Sequence, residues 1–175
     1  MAEQAPTGQA ISGQPKMGWV IDASVTLPWF FADEATPFTE NLLDALGTQV
    51  LWAPTLWMLE CTNVLQNAQQ RRPIHVHRRA QIRSELSALP VRLDPEVPDF
   101  VSLDRLAAAH GVSACDAAYL ELALRRSLVL VSLEARLIAA AGALGHPVLS
   151  AASDGPAADE AGNQAGKLAG KLAAC

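Results

Sequence analysis

Alternation constrains this chain more than anything else in it. Five short β-branched or apolar runs, WVID (19–22), QVLWA (49–53), VRLD (91–94), LVLVS (128–132) and PVLS (147–150), are separated by stretches of helical periodicity. Runs of this length read as buried strands, and strands alternating with helices specify a parallel sheet covered on both faces, joined by right-handed crossovers. The expected fold class is α/β: a three-layer α/β/α arrangement around a central, mostly parallel sheet of about five strands. Half of the 175 residues are apolar, enough for one domain with a substantial core.

The helical segments fall between those strands. Residues 33–46 carry a one-sided stripe of Phe38, Leu42, Leu43 and Leu46, and Pro54 suits the first turn of a helix running to about Gln70, apolar nearly all round and interrupted by Pro73. Further helices are expected over 75–88, over 102–110 with Gly111 as its stop, from Ser113 to about Arg126, and over 134–144 ending at Gly145 and Pro147. Residues 1–16 and 151–175 are small and polar and lack apolar surface to offset the entropy of ordering, so a flexible arm and tail are expected to flank a folded unit at 17–150.

Several function classes are excluded. A net charge of −5 is wrong for a domain that grips nucleic acid by bulk electrostatics, so any such contact must be local. Three cysteines without CxxC spacing suggest neither a disulfide framework nor a zinc site. No stretch approaches the length of a membrane helix, and the first residues lack a basic start followed by an apolar core, so a cytoplasmic protein without a membrane is expected.

Ligands of open α/β sheets bind beyond the carboxyl ends of the strands. Asp22 closes the first strand and Glu134 follows the fourth, while Glu60 and Asp116 lie early in helices. Each acid has an ordinary reading too. Asp22 can form an Asx turn, Glu60 can sit on a solvent strip, Asp116 can close a capping box with Ser113, and Glu134 can complement a helix dipole. Taken together they form a candidate metal site, because hard cations such as Mg²⁺ or Mn²⁺ take oxygen ligands and bind substrate phosphates alongside carboxylates. Ser24, Asn63 and Ser132 stand close enough in sequence to orient these acids by hydrogen bonds. The segment RRPIHVHRR with Arg83 holds five of the ten arginines; Arg71, Arg72, Arg78 and Arg79 form a candidate RNA-contact patch, with a solvated helix face as the ordinary reading. Leu27, Trp29, Phe30, Phe31, Trp52 and Trp57 are either core or a partner surface.

The motifs VIDASV with WFFADE, APTLWMLECTNVL, SACDAAYLELALRR and LVLVSLEARL occur in an order and spacing that resembles the PIN-domain ribonucleases, more narrowly the VapC-like toxins of bacterial type II toxin–antitoxin pairs. The resemblance spans about Met17 to Ser150. It implies a PIN-like fold and a Mg²⁺- or Mn²⁺-dependent endoribonuclease with Asp22, Glu60, Asp116 and Glu134 as catalytic and metal-holding acids. It also implies RNA as substrate, a homodimer and a small antitoxin protein as inhibitor. This chain departs from the pattern at Glu134, where the family usually has Asp. A PIN-like RNA- or protein-binding module with weak or no catalysis is therefore the alternative, and a structure-specific DNA nuclease a third reading.

Overall fold

The computed structural model describes residues 18–71 and 74–151. The arm expected at 1–16 and nearly all of the tail expected at 151–175 lie outside the described residues. Five strands form one sheet: β1 (Gly18–Ile21), β2 (Val50–Pro54), β3 (Val91–Asp94), β4 (Val129–Val131) and β5 (Val148–Leu149). Their order is β3-β2-β1-β4-β5 and every pairing is parallel. The helices are α1 (Ala23–Thr26), α2 (Pro37–Asp44), α3 (Leu56–Arg71), α4 (Val76–Ala88), α5 (Phe100–His110), α6 (Ala114–Arg126) and α7 (Ala135–Ala143). The α/β architecture and the five strands agree with the alternation in the sequence.

Side-chain alternation along β1 divides the core. Val20 joins a large cluster with Trp57, Val64, Ile82, Tyr119, Leu122 and Leu137, contributed by α3, α4, α6 and α7. Trp19 and Ile21 point the other way, into a smaller cluster with Val25, Phe38 and Leu42 under α2. Gly18 starts β1 where a Cβ would stand 3.0 Å from the Val50 carbonyl oxygen and 3.0 Å from Leu128 Cδ2, so a side chain there would require its neighbours to shift.

Local differences from the sequence reading have local causes. Pro54 ends β2 rather than opening a helix; without an N–H it closes the ladder, and α3 begins two residues later. The helix expected from Asp33 starts at Pro37, capped by a reciprocal Thr36–Thr39 box. α3 is not buried all round, since its apolar Met58 and Leu59 are exposed. Helix α5 starts at Phe100 because Asp99 accepts from the Ser102 N–H, and it stops at Gly111 in the left-handed conformation. α1 and the 3₁₀ turn Leu27–Trp29 are too short to leave a periodic signal.

Candidate active site

The chain moves from β1 outward through β2 to β3, then returns to lay β4 on the other side of β1. Beyond the ends of β1 and β4 the crossovers therefore diverge, and open α/β sheets bind ligands at such a switch point. Ile21 pairs with Val131, so the next residues, Asp22 and Ser132, abut at the rim. The Ser132 hydroxyl donates to Asp22 Oδ2 at 2.6 Å and the Ser24 hydroxyl to the same oxygen at 2.8 Å, while Oδ1 accepts from the Ser24 N–H at 3.1 Å. Asp22 thus serves as the N-cap of α1 and places a buried carboxylate at the switch point. The two serines work in both directions. Ser24 Oγ accepts from the Leu133 N–H and Ser132 Oγ from the Glu134 N–H, which ties the β4–α7 loop to Asp22.

Glu60 arrives from α3 and is buried. The Trp57 indole, one turn earlier, donates to Thr26 Oγ1 at 3.3 Å, and Thr26 donates to the Asp22 carbonyl at 3.0 Å, so α3 is registered against the Asp22 turn. From the opposite side, the Tyr119 hydroxyl of α6 donates to Glu60 Oε2. Asp116 opens α6 and does close the capping box: its N–H donates to Ser113 Oγ at 3.0 Å and its Oδ2 accepts from the Ser113 N–H at 3.2 Å. Glu134 is the N-cap residue of α7, yet its side chain makes no capping bond, and Glu134 Oε1 is a buried oxygen with no partner.

Electrostatics shows that these four acids share one neighbourhood. Burial pushes the Glu60 carboxyl up to about 8, reinforced by the charges of Asp22, Asp116 and Glu134 and opposed by the Tyr119 hydrogen bond. Burial likewise pushes Glu134 up to about 7, with Asp22 and Asp116 adding to it. Asp22 is raised by burial against the serine hydrogen bonds, and Asp116 adds repulsion. Tyr119 is held well above its ordinary value by burial and by the Glu60 charge, so its hydroxyl stays a donor. No ion pair among the described residues reaches any of the four.

Residues 19–143 match the family model described as PIN domain. The chain belongs to the PIN-domain family. The fold is also similar to that in the "Crystal structure of PAE2754 from Pyrobaculum aerophilum", at 21% identity and a TM-score of 0.55, covering 91% of this chain and 98% of that one. No curated protein matches. PIN domains are generally nucleases.

In this PIN domain Glu60 feels the charges of Asp22, Asp116 and Glu134, but the four acids do not form a finished cage. Among the described residues, no three His, Cys, Asp or Glu side chains stand as a ready metal-binding group. Asp116 and Glu60 each have one oxygen committed to the protein. The donor chemistry nevertheless fits a hard dication, because the four side chains offer carboxylate oxygens, no cation among the described residues pairs with them, and Glu134 Oε1 is an orphan. Ser24 and Ser132 sit against Asp22 as described, whereas Asn63 is exposed and Glu60 takes its hydrogen bond from Tyr119 instead. Tyr119 stands one turn after Asp116, where a lone helix-face tyrosine reads as core, and no local pattern pairs its hydroxyl with Glu60.

Of the basic patch, Arg72 and the side chain of Arg71 lie outside the described residues. Arg78 donates to the Phe30 carbonyl at 2.9 Å and Arg79 to Gln66 Oε1 at 3.0 Å. Leu27, Phe31 and Trp57 are buried, and Trp29, Phe30 and Trp52 pack on the two core clusters, so core packing accounts for this stretch. No helix of the described residues is long and apolar enough to cross a membrane.

Proposed function

We propose that this PIN domain is a metal-dependent endoribonuclease, with Asp22, Glu60, Asp116 and Glu134 holding Mg²⁺ or Mn²⁺. The observation that carries this reading is the electrostatic coupling of four carboxylates near the sheet's switch point, with no ion-pair partner among the described residues. Such a site is costly to fold unless protons or a cation neutralise it. The chemistry a bound divalent ion supplies is Lewis acidity toward the phosphodiester oxygens and the attacking water. The chain's own residues do the placing. Ser24 and Ser132 fix the Asp22 carboxylate, and through their other bonds fix the backbone that carries Glu134. Glu60 and Glu134, raised to about 8 and about 7, carry protons near neutrality in the metal-free protein and release them when a cation binds.

RNA is the substrate in this proposal, with Arg78 and Arg79 exchanging weak surface bonds for phosphates. The family resemblance supports a cytoplasmic toxin of the VapC-like type, acting as a homodimer and silenced by a small antitoxin. The exposed Met58 and Leu59, and a cleft of about 350 Å³ lined by residues that include Trp57, Met58, Leu65 and Leu86, are consistent with a protein partner. Incubating the purified protein with RNA in Mg²⁺, Mn²⁺ or EDTA tests the enzyme reading. Cleavage that requires the ion and vanishes in Asp22→Asn and Asp116→Asn is the expected result; no ion-dependent cleavage of any RNA overturns it.

One feature favours a second reading. Glu134 is a methylene longer than the Asp usual at that place, and its Oε1 has no partner. On this reading the domain binds RNA or protein and cleaves weakly or not at all, and Glu134→Asp would create cleavage absent from the wild type.

A further inference from the structure

Tyr119 is nearly inaccessible, at 1% exposure, and its ring lies in the larger core cluster. A phenylalanine would fill the same space without a hydroxyl that must be satisfied, so packing alone does not call for tyrosine here. The hydroxyl's partner is Glu60, 59 positions away on another helix. Three residues before Tyr119 on α6 stands Asp116, and residues at that spacing share a helix face. One face of α6 therefore presents a site carboxylate and, one turn on, the group that grips a second site carboxylate. On Glu60, Oε2 is taken by Tyr119, while no hydrogen bond among the described residues reaches Oε1. Glutamate is a flexible, rotamer-rich side chain, and without this bond nothing polar on α6 would hold Glu60 at a set distance from Asp116.

We propose that Tyr119 is the positioning residue of the metal site: its hydroxyl locks Glu60 Oε2 and leaves Oε1 as the oxygen offered to the divalent ion. This rests on the metal-dependent reading above. Groups that orient metal-holding side chains typically contribute 10–100-fold to metal affinity.

The chain contains one tyrosine, so protein made with 3-fluorotyrosine gives a single ¹⁹F resonance that reports on Tyr119 alone. Titrating Mg²⁺ into the labelled full-length protein is expected to shift that resonance with a midpoint equal to the Kd found by calorimetry. Tyr119→Phe is expected to weaken Mn²⁺ binding by roughly 10–100-fold while the metal-free unfolding temperature stays close to that of the wild type. In a Glu60→Gln background the same change should cost no further affinity. A resonance that stays still while Mg²⁺ binds, a Tyr119→Phe protein that binds Mn²⁺ as the wild type does, or a further loss in the Glu60→Gln background overturns the proposal. Should Tyr119→Phe not fold, the fluorine titration of the wild-type sequence decides alone. If the wild type binds neither ion, the metal-dependent function itself fails, an outcome distinct from failure of Tyr119's role.

Discussion

Two groups of buried acids in this protein sit in opposite electrostatic surroundings. Asp94, at the end of β3, is gripped by Arg126 at 2.8 Å and also by Arg125, which reaches Glu96 and Glu121 at 2.7 Å each. The Arg126 guanidinium also lies 4.0 Å over the Trp52 ring. Hydrogen bonding from Arg126, with Arg125 adding to it, holds the Asp94 carboxyl at about 2, below its ordinary value. At the switch point Glu60 and Glu134 are raised to about 8 and about 7, with serines, a tyrosine and other acids for neighbours. Both are buried carboxylate sites on one sheet. At β3 the fold answers a buried acid with arginines, and at the switch point, among the described residues, it does not.

The sharpest way to break this contrast is to neutralise one acid from each group. Asp22→Asn should lower ion-dependent cleavage by more than the roughly 100-fold ceiling for loss of a supporting group, while the metal-free unfolding temperature at pH 8 stays level or rises because a repelling charge is gone. Asp94→Asn should leave cleavage by the folded protein intact and lower stability by about 2 kcal/mol, the scale of lost charge-assisted hydrogen bonds discounted for arginines that reach solvent. Nuclease assays beside urea unfolding separate the two; equal losses of activity and stability in both variants would erase the distinction.

Acidity divides the same two regions by sign. Glu60 and Glu134, normally near 4.5, keep protons in the folded, metal-free protein that the unfolded chain gives up. Their stabilisation is full below about pH 4.5 and is lost as pH rises through 7 and 8. Asp94, lowered from 3.8 to about 2, behaves the other way: its contribution is full above pH 3.8 and is lost as pH falls toward 2. Urea midpoints measured in EDTA should therefore drop between pH 5 and pH 9, and Glu60→Gln should flatten that slope. Mn²⁺ affinity should climb over the same interval as ion and protons compete. A midpoint that does not change with pH in EDTA would mean the four acids do not repel one another as described.

The mildest expected change is Glu134→Asp. If Glu134 already serves the ion, shortening it by one methylene should alter cleavage by no more than about tenfold in either direction, below the loss expected for removing a supporting group altogether. Single-turnover rates measure it, and activity appearing from nothing would transfer the weight to the binding-module reading.

Much of this was legible from residues alone, and the gaps have physical reasons. Strand cores such as Trp19–Ile21 and Val129–Val131 announce themselves because a parallel sheet buries both faces and so demands unbroken apolar runs. Asp22 and Glu134 could be placed because strand ends have a defined location. The Thr36–Thr39 cap was missed since Thr at the third helical position is not the usual capping partner. Asn63 was assigned to Glu60 by helical spacing, a local rule, while the actual partner comes from a helix whose docking no local rule specifies. The Arg125–Asp94–Arg126 cluster leaves no local signal for the same reason: Asp94 lies more than thirty positions from either arginine.

The register of β1 on β4 also sets a timetable. Asp22 emerges early in synthesis but meets Ser132, 110 positions later, only when β4 docks beside β1. Until then Asp22 lacks one of its anchoring hydroxyls, and the loop carrying Glu134 has nowhere to attach. Domains fold as units as the chain emerges, and pairings this distant in sequence close late. A nascent chain still on the ribosome therefore lacks the assembled carboxylate cluster until the β4 segment has left the exit tunnel.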